Sequence, residues 1–131
     1  MSDALSGVTN FPKIKRPKTT GVGICNAIAL ADLHVGGQYG NSEYEVQCTA
    51  LIDDLVSRLP AAEKAVVVEL GDLLDANDHK GVTPASGNAC DVIREDALAN
   101  AQTALRLLKQ LVYRLAQTHS EVEVHMLRGN H

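Results

Sequence analysis

Ala65-Val66-Val67-Val68-Glu69-Leu70 runs directly into Gly71-Asp72. A short β-branched run that stops at a glycine-bearing polar turn predicts a buried strand, because branched side chains fit a pleated surface and crowd a helix. Upstream, Ser42-Glu43-Tyr44-Glu45 has the S-x-x-E form of a capping box, and Tyr44, Cys48, Leu51, Leu55 and Leu59 follow at helical spacing until Pro60. Before that helix, residues 24–31 form a short apolar run between glycine and Asp32-Leu33-His34, read as a central buried strand ending at Asp32. Downstream, residues 76–87 are rich in Gly, Asn, Asp, Pro and Ser without hydrophobic period and read as a long loop. A long helix is expected over roughly residues 89–118, with Ile93, Ala97, Ala101, Ala104, Leu108, Val112 and Leu115 on its core stripe. Val122, Val124, Met126 and Leu127 then belong to a third strand that ends at Arg128-Gly129-Asn130-His131. Strands alternating with helices predict an α/β fold.

Composition bounds the function. The chain has 131 residues, 45% of them hydrophobic, enough for one domain and too few for two ordinary ones. Its formal charge of -4 argues against holding nucleic acid by an overall positive field, and 3% aromatic content leaves little from which to build a base-stacking platform. Cys25, Cys48 and Cys90 form no C-x-x-C pair and are odd in number, so neither a disulfide framework nor a structural zinc site is indicated. Without a signal-like apolar start or a membrane-length apolar run, a soluble, cytoplasmic protein with no membrane partner is expected. Residues 1–20 read as a flexible arm, basic from Lys13 to Lys18 and interrupted by Pro12 and Pro17. Residues 21–131 read as the folded part.

The chemistry concentrates in three polar clusters, Asp32-Leu33-His34, Gly71-Asp72-Leu73-Leu74-Asp75 and Gly129-Asn130-His131, each directly after an expected strand. In open α/β sheets the carboxyl edge is where such loops converge. Carboxylate, imidazole and amide donors suit divalent ions such as manganese, iron or zinc. In an extended chain residues two apart point to one side, so Asp32 and His34 are expected to grip one ion together. The glycines before Asp72 and Asn130 allow sharp turning and close approach, and a carboxylate such as Asp72 can bridge two cations. Gly21-Val22-Gly23 precedes its strand and lacks a third glycine, which excludes a dinucleotide loop. His79 is read as solvated or structural, and His119 and His125 as exposed or simply hydrogen-bonded.

The ordered set D-x-H, G-D-x-x-D and G-N-H resembles the opening signature of the calcineurin-like metallophosphoesterases, over nearly all of residues 24–131, with the Gly-Asp-Leu-Leu-Asp form nearest to nuclease and phage-encoded members. The resemblance implies a two-sheet sandwich flanked by helices, of which this chain would be the N-terminal half. It implies that Asp32 and His34 bind a first metal ion, that Asp72 bridges two, and that Asn130 binds the second. It places His131 beside the scissile phosphate, with Asp75 and Arg128 as candidate supporting or phosphate-contacting residues. The implied cofactors are two divalent ions, manganese first, with iron, zinc or nickel as alternatives. The implied reaction is hydrolysis of a phosphoester, by a phosphodiesterase, nuclease or phosphatase, through a hydroxide shared between the ions. DNA, a nucleotide or a small phosphomonoester would be the substrate. Ala76 stands where many phosphatase members carry arginine. The family's acidic residue after G-N-H and its later histidine ligands are not in this sequence, so a fragment is expected whose sheet is covered by the remaining half-domain or a partner chain. The alternative is a catalytically inactive metal-binding or interaction module.

Overall fold

The computed structural model describes residues 21–36, 41–74 and 97–129. The basic arm, the expected loop at residues 76–87, the first turns of the expected long helix, and Asp75, His79, Asn130 and His131 lie outside the described residues. The elements run β1 (Cys25–Leu30), α1 (Asn41–Arg58), β2 (Lys64–Glu69), α2 (Ala97–Thr118) and β3 (Glu121–Met126). The strands form one parallel sheet in the order β1-β2-β3. Consecutive parallel neighbours need crossover helices, and α1 and α2 supply them.

Both helices lie on the same sheet face. Ile28, Ala65 and Val67 meet Leu111 and Leu115 of α2, while Ile52, Leu55 and Val56 of α1 pack against the same cluster. The helices are also tied to each other. Arg106 donates from Nε and Nη2 to the two Glu45 oxygens at 2.7 and 2.9 Å, and Arg114 Nε donates to Asp53 at 2.7 Å. On the opposite face Cys25, Ala27 and Ala29 are exposed, and no element among the described residues covers them. Lys64 sits there between Glu121, at 2.9 Å, and Glu123. No helix among the described residues is long and apolar enough to cross a membrane.

Three expectations change. The strand expected to be central is the sheet edge among the described residues: β1 pairs with β2 alone, and its apolar run reflects small exposed alanines rather than burial on both faces. On α1 the inward seam is Tyr44, Cys48, Ile52, Leu55 and Val56, leaving Leu51 68% exposed, and Glu45 is engaged by Arg106. On α2 the buried seam is Asn100, Thr103, Ala104, Leu107, Leu111 and Leu115, one residue round from the expected stripe, with Leu108 and Val112 at its flank.

His119, at the end of α2, is buried rather than exposed. The Asn26 amide nitrogen donates to Pro60 O at 2.9 Å and also lies 2.9 Å from His119 Nε2. An amide nitrogen only donates, so Nε2 must accept, and the imidazole proton sits on Nδ1, which faces Leu115 O at 3.0 Å. The ring therefore links β1 to the end of α2.

Replacing His119 with Leu leaves one N–H of the Asn26 amide without its partner, the other still bonding Pro60 O, and is expected to cost about 1–3 kcal/mol, read as a lower urea midpoint at unchanged m-value. The Glu45–Arg106 pair has its own pH signature. The Arg106 hydrogen bond holds the Glu45 carboxyl below its ordinary 4.5. A depressed carboxylate stabilises the fold above the unfolded pKa and loses that contribution as pH falls. Glu45→Gln should therefore cost less than about 1 kcal/mol at neutral pH, the pair being largely solvent-screened. That difference from the parent should close in denaturation curves below pH 4.5.

Candidate metal centre

The register fixes where the functional loops begin. Leu30 is level with Glu69, and Glu69 with Met126, so all three strands end at one edge of the sheet. Pairing does not stop with the strands. Asp32 N–H donates to Gly71 O at 3.3 Å, His34 N–H to Asp72 O at 2.9 Å and Val35 N–H to Leu73 O at 3.0 Å. Val35 and Leu74 close this extension as a parallel bridge.

Inward and outward side chains alternate along the first loop, while Leu73 and Leu74 of the second both turn to the core. Leu33, Val35, Leu73 and Leu74 pack with Ala104 and Leu107 of α2. The intervening Asp32 and His34, with Asp72 from the second loop, offer ligand atoms that all lie within 4.8 Å of one another. Asp32 Oδ1 and His34 Nε2 are 3.6 Å apart. Two atoms each about 2.1 Å from one ion stand roughly 3–3.5 Å apart, so this pair is near chelating distance. Two hard oxygens and an imidazole nitrogen make a donor set suited to manganese, iron, zinc or nickel.

The backbone differs from the extended chain expected at Asp32-Leu33-His34. Asp32, His34 and Asp72 have φ of 53°, 45° and 57°, and they are the non-glycine residues with positive φ among the described residues. Left-handed conformation costs a non-glycine residue about 1–3 kcal/mol, and such strain gathers at functional sites where surrounding structure enforces it. Asp and His are among the side chains that tolerate it best. The two ligand candidates of the first loop thus reach one side through left-handed turns, not through a strand's two-residue period.

The third loop arrives by close approach. A Cβ on Gly129 would stand 2.1 Å from Asp72 Oδ1 and 2.2 Å from Asp72 N, and one on Gly71, at φ 110°, would stand 2.7 Å from Gly129 Cα. Gly71 and Gly129 together let the loops touch, as expected of glycines at these places. Arg128, exposed beside them, forms no ion pair among the described residues. The structure therefore brings Asp32, His34 and Asp72 together and sets Gly129 and Arg128 at the same edge, while Asn130, His131 and Asp75 lie outside the described residues.

Three supporting residues escaped the sequence reading. Tyr44, taken only as a core residue of α1, donates its hydroxyl proton to Leu33 O, between Asp32 and His34. Burial, then the hydrogen bond with Cys48, pushes the Tyr44 phenol well above its ordinary range, so it remains a donor. Glu69, 1% exposed, accepts the Gly71 N–H at 3.0 Å just behind Asp72. Asn100 lies under Gly36, where an added Cβ would be 2.3 Å from its Nδ2, and its buried Oδ1 has no hydrogen-bond partner among the described residues. A polar residue at an inward position of an apolar seam was the available signal for Glu69 and Asn100.

Gly129→Ala puts a methyl group into the Asp72 backbone and carboxylate and is expected to destabilise by about 1–3 kcal/mol, as overpacking does, measured by urea denaturation. Gly23→Ala meets nothing within 4 Å and carries only the cost of its φ of 78°, about 1 kcal/mol. Comparison of the chain with family models, with curated proteins and with solved structures finds no match.

Proposed function

We propose that the chain forms part of a metal-dependent phosphoester hydrolase of the calcineurin-like type, its three-stranded parallel sheet and two helices being the first half of that family's sandwich. One observation carries the reading: the Asp, His and Asp of two strand-end motifs, strained into left-handed conformations, converge within 4.8 Å at the carboxyl edge of the sheet. A structural role alone gives no reason to hold two carboxylates and an imidazole together at that conformational cost. The order of D-x-H, G-D-x-x-D and G-N-H supports the same reading.

In this reading Asp32 and His34 would hold one divalent ion, and Asp72 and Asn130 would help to hold the second. The ions would supply Lewis-acid polarisation of the phosphoryl group and an activated water near neutral pH. His131 would stand beside the scissile phosphate and pass a proton to the leaving oxygen. Arg128, unpaired by any carboxylate among the described residues, offers a guanidinium to a phosphate oxygen. Asp75 would shape the turn after Asp72. The substrate is a phosphodiester such as DNA or a nucleotide, or a small phosphomonoester. The exposed face at Cys25, Ala27 and Ala29 is where the rest of the sandwich or a partner chain would pack.

The test is Mn²⁺-dependent hydrolysis of bis(p-nitrophenyl) phosphate alongside metal stoichiometry. Asp72→Asn should lower both Mn²⁺ stoichiometry and turnover, the latter by more than the roughly 10–100-fold typical of groups that merely support a ligand. His131→Ala should lower turnover and leave the bound metal in place. Unchanged stoichiometry and turnover in Asp72→Asn would sink the bridging role. Metal binding without turnover in the parent chain would favour the inactive metal-binding module.

A further inference from the structure

We infer that Tyr44 is a positioning residue of the metal centre, holding the peptide between Asp32 and His34 in the orientation that aims both side chains at one ion. The inference rests on the metal-binding reading given above and concerns what keeps that site assembled.

The peptide joining Leu33 to His34 is gripped at both ends. Its carbonyl accepts from the Tyr44 hydroxyl of α1. Its N–H donates to Asp72 O at 2.9 Å. One grip comes from a helix, the other from the backbone of the loop that carries Asp72. Both residues flanking the clamped carbonyl, Asp32 and His34, are left-handed at φ 53° and 45°. Of the two residues this peptide joins, His34 is left-handed; unless the polar ends are fixed, the peptide rotates readily towards a relaxed conformation, and that rotation would swing the His34 side chain away from Asp32. The Asp72 contact fixes the N–H and leaves the carbonyl to Tyr44.

Tyr44 is itself well held. It packs with Val35, Ala104 and Leu107 in the cluster beneath the loops. The next residue, Glu45, is locked to Arg106 of α2 through two hydrogen bonds. The hydroxyl is thus delivered from a helix fixed to a second helix, which is how supporting groups orient metal ligands elsewhere.

The measurement is Co²⁺ affinity by calorimetry, with the visible spectrum of bound Co²⁺ as a geometric readout, on the parent chain, Tyr44→Phe and Thr49→Val. Thr49 Oγ1 bonds Gln110 at 3.2 Å between the helices and does not touch the loop, so it controls for general loosening. Tyr44→Phe should weaken Co²⁺ binding about 10–100-fold and alter the spectrum, while Thr49→Val leaves both unchanged. Equal affinity and spectrum in the parent and Tyr44→Phe overturn the inference alone, leaving the metal reading in place. A parent chain that takes up no Co²⁺ overturns both. If Tyr44→Phe is partly unfolded, the same titration in sucrose, which favours the compact state, compares folded species, and the same two outcomes decide.

Discussion

The backbone pairing between two loops beyond the strand ends is the interaction on which the site depends. Within the sheet, β1 and β2 hydrogen-bond as any parallel neighbours do. Past Leu30 and Glu69 the chain has no regular conformation left, yet donors from Asp32, His34 and Val35 still find carbonyls of Gly71, Asp72 and Leu73. Each buried N–H left without such a partner would be a substantial penalty. The pairing therefore selects one conformation for both loops, and that conformation includes left-handed φ at Asp32, His34 and Asp72.

Strain of this kind persists only where something larger opposes it. Three left-handed residues at about 1–3 kcal/mol each are a large fraction of the stability of an ordinary domain. Opposing them are the apolar residues interleaved with the ligands: Leu33, Val35, Leu73 and Leu74 pack against α2, and Val35 is 1% exposed. Burying a side chain of this size stabilises by about 1.5–3 kcal/mol, so the interleaved residues offset the strain on the right scale. Leucine and valine between the polar residues of Asp32-Leu33-His34-Val35 are thus as necessary to the geometry as the polar residues are. Gly71 and Gly129 complete it by letting the third loop come within a distance no side chain would permit.

Much of the fold was legible because the relevant signals are local. The β-branched run at Ala65 to Leu70 gave β2 close to its observed limits, and the apolar spacing gave both helices, with their core seams displaced by about one residue. Helical spacing fixes a face only to within one position when leucines lie on both sides of it, as Leu107 and Leu108 do, and packing of Leu107 against Val35 made the choice. The edge position of β1 was not legible, since alanine reads as apolar whether or not anything covers it. Asp32, His34 and Asp72 were legible as a set because each follows a strand, and parallel strands of one register end at one edge. Their backbone conformation was not, because it follows from pairing between segments about forty residues apart, as in the His34–Asp72 contact. Tyr44 was hidden for a related reason: its ring satisfies the apolar seam, and only its hydroxyl reveals the second role.

The same geometry leaves an imbalance that bears on what the site can hold. Asp32 and Asp72 present carboxylates to one small volume in a chain whose formal charge is already -4. Two like unit charges 4 Å apart repel by about 1 kcal/mol in water and about 4 kcal/mol near a protein surface. Arg58, Lys64, Arg106 and Arg114 are each paired with other carboxylates, and Arg128, exposed at the same edge, offsets only one of the two charges. The field at the loops therefore repels a bare phosphate and attracts a cation. A divalent ion there would turn mutual repulsion into shared attraction and cancel the charge of the two carboxylates, and under the proposed function this is what would admit an anionic phosphoester. Under the proposed function a cation would therefore bind before an anionic substrate.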